Sequence, residues 1–197
     1  MLFLHRPSDQ QIRSLRDARK DSPFSYPDVG ATRNHPPPGW RVNHMRRLIG
    51  TGRVLHNKIV QALFSWDLLA VGNLELFSAV PQVVPQAAIA ILSRHFGIWS
   101  VDFCRVIYVL REEPEQNGKI LRTGFAYGTL PGHAVKGEEI FSIEFHPATE
   151  EVWYDIFSFS LPANPLIRLA TPIARATQRR FAKASLQKAA TLAKPAP

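Results

Sequence analysis

Apolar positions fall at helical spacing near the start of the chain, in strand-like runs through its middle and at helical spacing again near its end. Ser8 can cap a short helix through Lys20, in which Ile12, Leu15, Arg16 and Arg19 recur at three- and four-residue steps. The apolar face of this helix is narrow, which places it at the periphery. From Asp21 to Gly39, five prolines and two glycines forbid a continuous helix or central strand. Phe24, Tyr26, Val29 and Trp40 give that loop apolar anchors, so it is expected to pack on the body. Gly39 to Ile49 alternates as a first strand, and Gly50-Thr51-Gly52 breaks it ahead of a helix from Arg53 to Leu69. That helix carries an apolar stripe of Val54, Leu55, Ile59, Ala62, Leu63 and Trp66.

Strand candidates then follow in succession. Leu74 to Val84 ends in prolines and predicts a short or edge strand, while Gln86 to Phe96 is apolar on both parities, as a strand covered on both faces requires. Trp99 to Leu110 is the next strand, interrupted by one charge, Arg105. The polar segment Arg111 to Gly118 reads as an exposed hairpin loop closing on Asn117-Gly118. Lys119 to Leu130, Glu138 to Phe145 and Glu151 to Leu161 complete the series, with Pro131-Gly132 suited to a type II turn. Asn164-Pro165 predicts the start of a long amphipathic helix. Leu166, Leu169, Ile173 and Phe181 fall on its apolar stripe and Arg168, Arg175, Arg179 and Lys183 on its basic side, and Pro172 should kink or divide it.

A run of strands closed by a long helix predicts an α+β fold. The expected architecture is a helix-grip, a curved antiparallel sheet of about six or seven strands wrapped on the C-terminal helix. Residues 1–193 form one such domain, with residues 1–38 (helix and Pro-rich loop) packed on it and a disordered tail at 194–197. A helix-grip traps a pocket between sheet and helix, and twelve Phe, four Trp and four Tyr suit its apolar walls. A filled core needs the same residues.

Composition narrows the function classes. A chain of 197 residues with 45% hydrophobic content fills one core. Its apolar runs are too short for a spanning helix or secretory signal, so the expected location is cytoplasmic. Cys104 is the only cysteine, which excludes an intramolecular disulfide and a thiolate metal cluster, and its apolar neighbours make it a structural thiol. The seven histidines are scattered without a His-Glu-x-x-His arrangement, so neither a metal nor a cofactor is expected. The formal charge of +8 is uneven: residues 1–58 carry +7, residues 59–162 carry −6 and residues 163–197 carry +7. Basic ends can attract a phosphate-rich partner or can neutralise the acidic middle, and the second reading weighs more.

Chemistry concentrates in Phe125 to Glu139, FAYGTLPGHAVKGEE. On the return strand Glu139 shares a face with Phe141, Ile143 and Phe145, so a carboxylate on the apolar face needs a partner. Arg105, Tyr127 and His133 have the chemistry to supply one, and with Glu139 they form the expected ligand-binding set. His133 with Glu138 or Glu139 could instead form a catalytic acid/base pair.

YPDVGATR (Tyr26 to Arg33), IGTG (Ile49 to Gly52), CRVIYV (Cys104 to Val109), FAYGTLPGHAVKGEE and VWYDIFSFS (Val152 to Ser160) together resemble the uncharacterised family DUF1990, over essentially the whole chain. The resemblance implies a fold similar to the START and birch-pollen-allergen (SRPBCC-type) superfamily, in agreement with the helix-grip, and no settled activity. One departure lies at Pro85 to Ala90, where the family pattern has a glycine before the strand and this chain has Gln86-Ala87.

The expected function is therefore binding of a small, largely apolar or amphipathic molecule between sheet and C-terminal helix. One alternative is a cyclase, hydratase or hydrolase using a His-Glu pair. The other is binding of an anionic membrane or nucleic acid by the basic C-terminal helix, whose polar face lacks interleaved aromatics. No protein partner is legible.

Overall fold

The computed structural model of the protein describes residues 1–95, 97–163 and 171–194. Eight strands form one antiparallel sheet: β1 (Leu2–Phe3), β2 (Arg41–Thr51), β3 (Glu75–Ser78), β4 (Ala88–His95), β5 (Ile98–Glu115), β6 (Ile120–Thr129), β7 (Val135–His146) and β8 (Glu151–Pro162). Their order is β2-β8-β7-β6-β5-β4-β3, and β1 pairs with the first residues of β5, where β6 does not reach. Among the described residues the α-helices are α1 (Asp9–Asp17), α2 (Arg53–Phe64) and α3 (Thr171–Leu192). None of them is long and apolar enough to cross a membrane.

This is the expected α+β architecture, with a C-terminal helix against an antiparallel sheet. Ile59 and Leu63 of α2, with Ala182, Leu186 and Ala189 of α3, join Phe125, Phe141, Ile143, Tyr154 and Ile156 of the sheet in the main core. We call that face of the sheet inner. The outer face is covered near β4 and β5 by α1, whose Ile12 packs with Leu92, Val101 and Phe103. Alternation along β7 accounts for the division: Phe141, Ile143 and Phe145 enter the main core, while Ile140 joins a separate outer cluster with Tyr108, Leu110 and Ala126.

Several boundaries differ from the sequence expectation. The expected hairpin loop at Arg111 to Gly118 is mostly strand, since β5 runs to Glu115 and the turn is confined to Gln116 through Lys119, with Gln116, Asn117 and Gly118 at positive φ. Two register shifts against β6, at Val106/Tyr108 and Leu110/Glu113, let so long a strand bend while staying paired. The first-helix and α2 boundaries also contract, and α2 ends at Phe64 because Trp66 takes φ +67. The strand expected over Leu74 to Val84 shrinks to the four residues of β3. The helix start expected at Asn164-Pro165 and the last three residues of the expected tail lie outside the described residues, and α3 is described from Thr171, one residue before Pro172.

The N-terminal loop is tied to the outer face by a buried carboxylate. Glu138 accepts hydrogen bonds from Tyr26 Oη (2.7 Å), Gly30 N (2.7 Å) and Thr32 N (3.0 Å), and from Thr32 Oγ1. Gly30 reaches this arrangement at φ +91, ahead of a 3₁₀ turn over Ala31–Arg33. Arg105 fixes the preceding residues, donating to Lys20 O (2.6 Å) and Ser22 O (3.0 Å) with its guanidinium over the Phe24 ring. Gly128 is small for the same reason: a Cβ there would stand 2.4 Å from Tyr26 Oη.

Two stability outcomes are expected from these contacts. Glu138→Gln puts an amide NH₂ among backbone and hydroxyl donors, and should lower the unfolding free energy by about 2 kcal/mol in urea denaturation. Gln86 takes φ +66, in the left-handed region that favours glycine; Gln86→Gly should raise stability by roughly 0.5–1 kcal/mol, the relief of a left-handed non-glycine residue less the added chain entropy.

Candidate functional site

Between the inner face of the sheet and α3 lies a cavity of ≈330 Å³. Its sheet wall comes from Ile91, Ser93 and His95 of β4, Ser100 and Asp102 of β5, Tyr127 and Thr129 of β6, Glu139 of β7, and Ser158 and Ser160 of β8. Thr177, Gln178 and Phe181 of α3 close it from above, and His133 with Ala134 closes the end where β6 turns into β7. That turn is built as the sequence predicts, with Leu130 O accepting from His133 N (3.2 Å) around Pro131 and Gly132, the latter at φ +97.

Glu139 stands on the cavity wall directly opposite Tyr127 in the β6–β7 ladder. Tyr127 Oη donates to Glu139 Oε2 at 2.8 Å, and no other described group donates to this carboxyl. Burial raises its pKa to about 7, against which the tyrosine hydrogen bond acts only in part. Burial and the same carboxyl push the Tyr127 hydroxyl well above its ordinary value, so it remains a donor.

A second polar row runs along the wall from β4 to the hairpin. His95 Nε2 meets Ser93 Oγ at 2.9 Å, Ser93 Oγ meets Ser100 Oγ at 2.8 Å, and Ser100 Oγ donates to Asp102 Oδ2 at 3.2 Å. Asp102 Oδ1 accepts from Ala134 N at 2.9 Å and so holds the hairpin in place. His133 Nδ1 is 3.8 Å from that oxygen, too far for a hydrogen bond, and instead accepts from Val135 N at 3.1 Å. The neutral ring therefore carries its proton on Nε2. Burial lowers the pKa of His133, with Asp102 opposing the shift.

The sequence of residues 25–188 matches the family described as a domain of unknown function, DUF1990. The chain belongs to that family. A relative from Deinococcus radiodurans, called a UPF0548 protein, is 32% identical over 93% of this chain and 94% of its own length. Among solved structures, a protein of Thermus thermophilus superposes with a TM-score of 0.54 at 10% identity, over 78% of this chain and 97% of its own. A START-superfamily protein from Mycobacterium smegmatis is similar at a TM-score of 0.47 and 12% identity, over 78% and 98% of the two chains.

Within this DUF1990 chain the motifs divide by face. Tyr127, His133 and Glu139 meet at the cavity. Arg105 does not join them: its parity on β5 is that of Phe103, and its Nη1 donates to Lys20 O and Ser22 O on the outer face, so the partnership expected with Glu139 is not formed. The carboxylate of Glu138 belongs to the outer-face anchor, and His133 approaches Asp102 rather than either glutamate, so the expected His-Glu pair is not assembled. Asp102, Ser93, Ser100 and His95 went unread in the sequence. Their signal was the turn between β4 and β5, which sets Ser93 opposite Ser100 and puts Asp102 on the parity of the buried Cys104.

Glu139 makes stability depend on pH. Its folded pKa of about 7 lies above the ordinary 4.5, so the folded state holds the proton more tightly. The stabilising contribution is complete below about pH 4.5 and is lost as pH rises through about 7, on the order of 3 kcal/mol. Glu139→Gln keeps an acceptor for Tyr127 and cannot ionise. The difference in unfolding free energy, variant minus wild type, should therefore grow in the variant's favour between about pH 5 and pH 8; a flat difference would refute the raised pKa.

Proposed function

We propose that this protein binds a small, largely apolar molecule in the cavity between the sheet and α3, with Tyr127, His133 and Glu139 orienting its polar end. The observation that carries this reading is Glu139: a carboxyl on the cavity wall with one donor, in a chain whose neighbouring glutamate receives four. A carboxyl left short of partners costs stability, and such groups concentrate where a ligand completes them. The volume of ≈330 Å³ sits at the lower end of ligand cavities, about 300–1,000 Å³, and favours a compact molecule.

Acid/base catalysis has less support. Asp102 spends both oxygens on Ala134 N and Ser100 Oγ, and His133 Nδ1 is occupied by Val135 N, so neither is arranged as a carboxylate-backed base. An anionic-surface role draws on exposed Arg179 and Lys183 of α3, whereas Lys188 is engaged by Asp67 at 2.7 Å.

The reading is tested by a denaturation-midpoint screen against lipids, sterols and aromatic metabolites, with native mass spectrometry for a co-purifying mass. Stabilisation by at least one class is expected, and Thr177→Phe, which fills the cavity from α3, should abolish it while leaving the fold intact by circular dichroism. Stabilisation that survives Thr177→Phe would move the binding site elsewhere on the molecule.

A further inference from the structure

The cavity is acidic in a strongly basic protein. The chain carries a formal +8, yet among the described residues lining the cavity there is no lysine or arginine, while Asp102 and Glu139 both face it. The two carboxyls differ in how they are balanced. Asp102 is held by Ala134 N and Ser100 Oγ, and the Met1 ammonium lies close behind it, donating to Val101 O (2.6 Å) and Gly132 O (2.9 Å). Glu139 has Tyr127 Oη on Oε2 and no cation. Of the other polar groups on the wall, Ser158, Ser160 and Thr177 are hydroxyls able to accept as well as donate, Gln178 Nε2 is already directed to Ser160 Oγ at 3.4 Å, His95 Nε2 meets Ser93 Oγ, and His133, a neutral donor through Nε2, is held against Asp102 at the hairpin end.

Building on the binding function proposed above, we infer that the cavity selects a compact amphipathic molecule with an amine head, seated against the free Oε1 of Glu139, and rejects the carboxylate of the same shape. An ammonium donates to Oε1, replaces the missing countercharge and leaves the Tyr127 hydrogen bond in place. The bound state holds an ion pair with each partner hydrogen-bonded, which is the condition for a buried pair to be favourable. A carboxylate head would meet like charge with no described lysine or arginine on the wall to offset it and only the neutral His133 to donate to it, and would have to take up a proton to enter. A neutral alcohol can donate one hydrogen bond to Oε1 and falls between the two. Arg94 and Arg180 line an adjoining cleft of ≈580 Å³, which shares Leu74, His95, Thr177 and Phe181 with the cavity, so an anionic tail could be met only outside the cavity.

The experiment uses the full chain and one apolar scaffold with three heads, octylamine, 1-octanol and sodium octanoate, measured by midpoint shift and by calorimetry near neutral pH. Octylamine should bind most tightly, octanol less so, and octanoate should give no shift. Glu139→Gln should weaken octylamine by about tenfold or more, as expected for the loss of a charge-assisted hydrogen bond, and leave octanol nearly unchanged. If octanoate binds as well as octylamine, or if the amine preference survives in Glu139→Gln, the inference is wrong while binding in the cavity stands. If none of the three shifts the midpoint and Thr177→Phe changes nothing, cavity binding itself fails. Asp102→Asn provides the control for position: should it abolish octylamine binding while Glu139→Gln spares it, the head sits against Asp102 and the assignment to Glu139 is overturned.

Discussion

The carboxylate of Glu138, buried on the outer face of the sheet, is the interaction on which the arrangement of this molecule depends. Four donors converge on it, from Tyr26, Gly30 and both the amide and hydroxyl of Thr32. A proline-rich loop has few backbone hydrogen bonds of its own, so its position must be supplied from elsewhere. Glu138 supplies it for residues 26–32, and Arg105 does the same for Lys20 and Ser22. Because both charged side chains are used on the outer face, the loop seals that side of β5–β8 and leaves the inner face to α2, α3 and the cavity. Removing the Glu138 carboxylate would leave the Tyr26 and Thr32 donors as unpaired buried polar groups, which is the costly outcome in a folded core, whereas the carbonyls of Lys20 and Ser22 that Arg105 holds are open to water.

Much of this was legible from alternation alone. Placing Glu139 with Phe141, Ile143 and Phe145 requires only the two-residue period of a strand, and the Pro131-Gly132 turn then sets Tyr127 across from Glu139. Arg105 misled because its segment is apolar on both parities, so the pattern cannot say which face a given side chain takes. The face was decided by partners far away in sequence, the carbonyls of Lys20 and Ser22. The polar row from His95 to Asp102 was hidden for a different reason. It is assembled by the register of the β4–β5 hairpin, and serines scattered in apolar strands carry no periodic signal of their own.

Gln86, at the turn into β4, holds a backbone conformation that a side chain disfavours. The turn into β4 needs a left-handed residue, for which glycine is best suited, and the chain makes it with Gln86 at φ +66. The turn is retained because its neighbours are fully engaged, Gln86 N with Val106 O and Val106 N with Ala87 O. Local strain is tolerated where ladder bonds on both sides would otherwise be lost.

Glu138 and Glu139 are adjacent in the chain and opposite in circumstance. One pleat of β7 sends the first to four donors on the outer face and the second to one donor on a cavity wall. Stability alone cannot account for the second, since a glutamine or a leucine at that position would avoid the cost of holding a carboxyl at a pKa of about 7. The binding function proposed above accounts for such a residue by taking its partner from outside the fold. On that proposal, the two carboxyls of a wall without lysine or arginine favour a partner that brings positive charge.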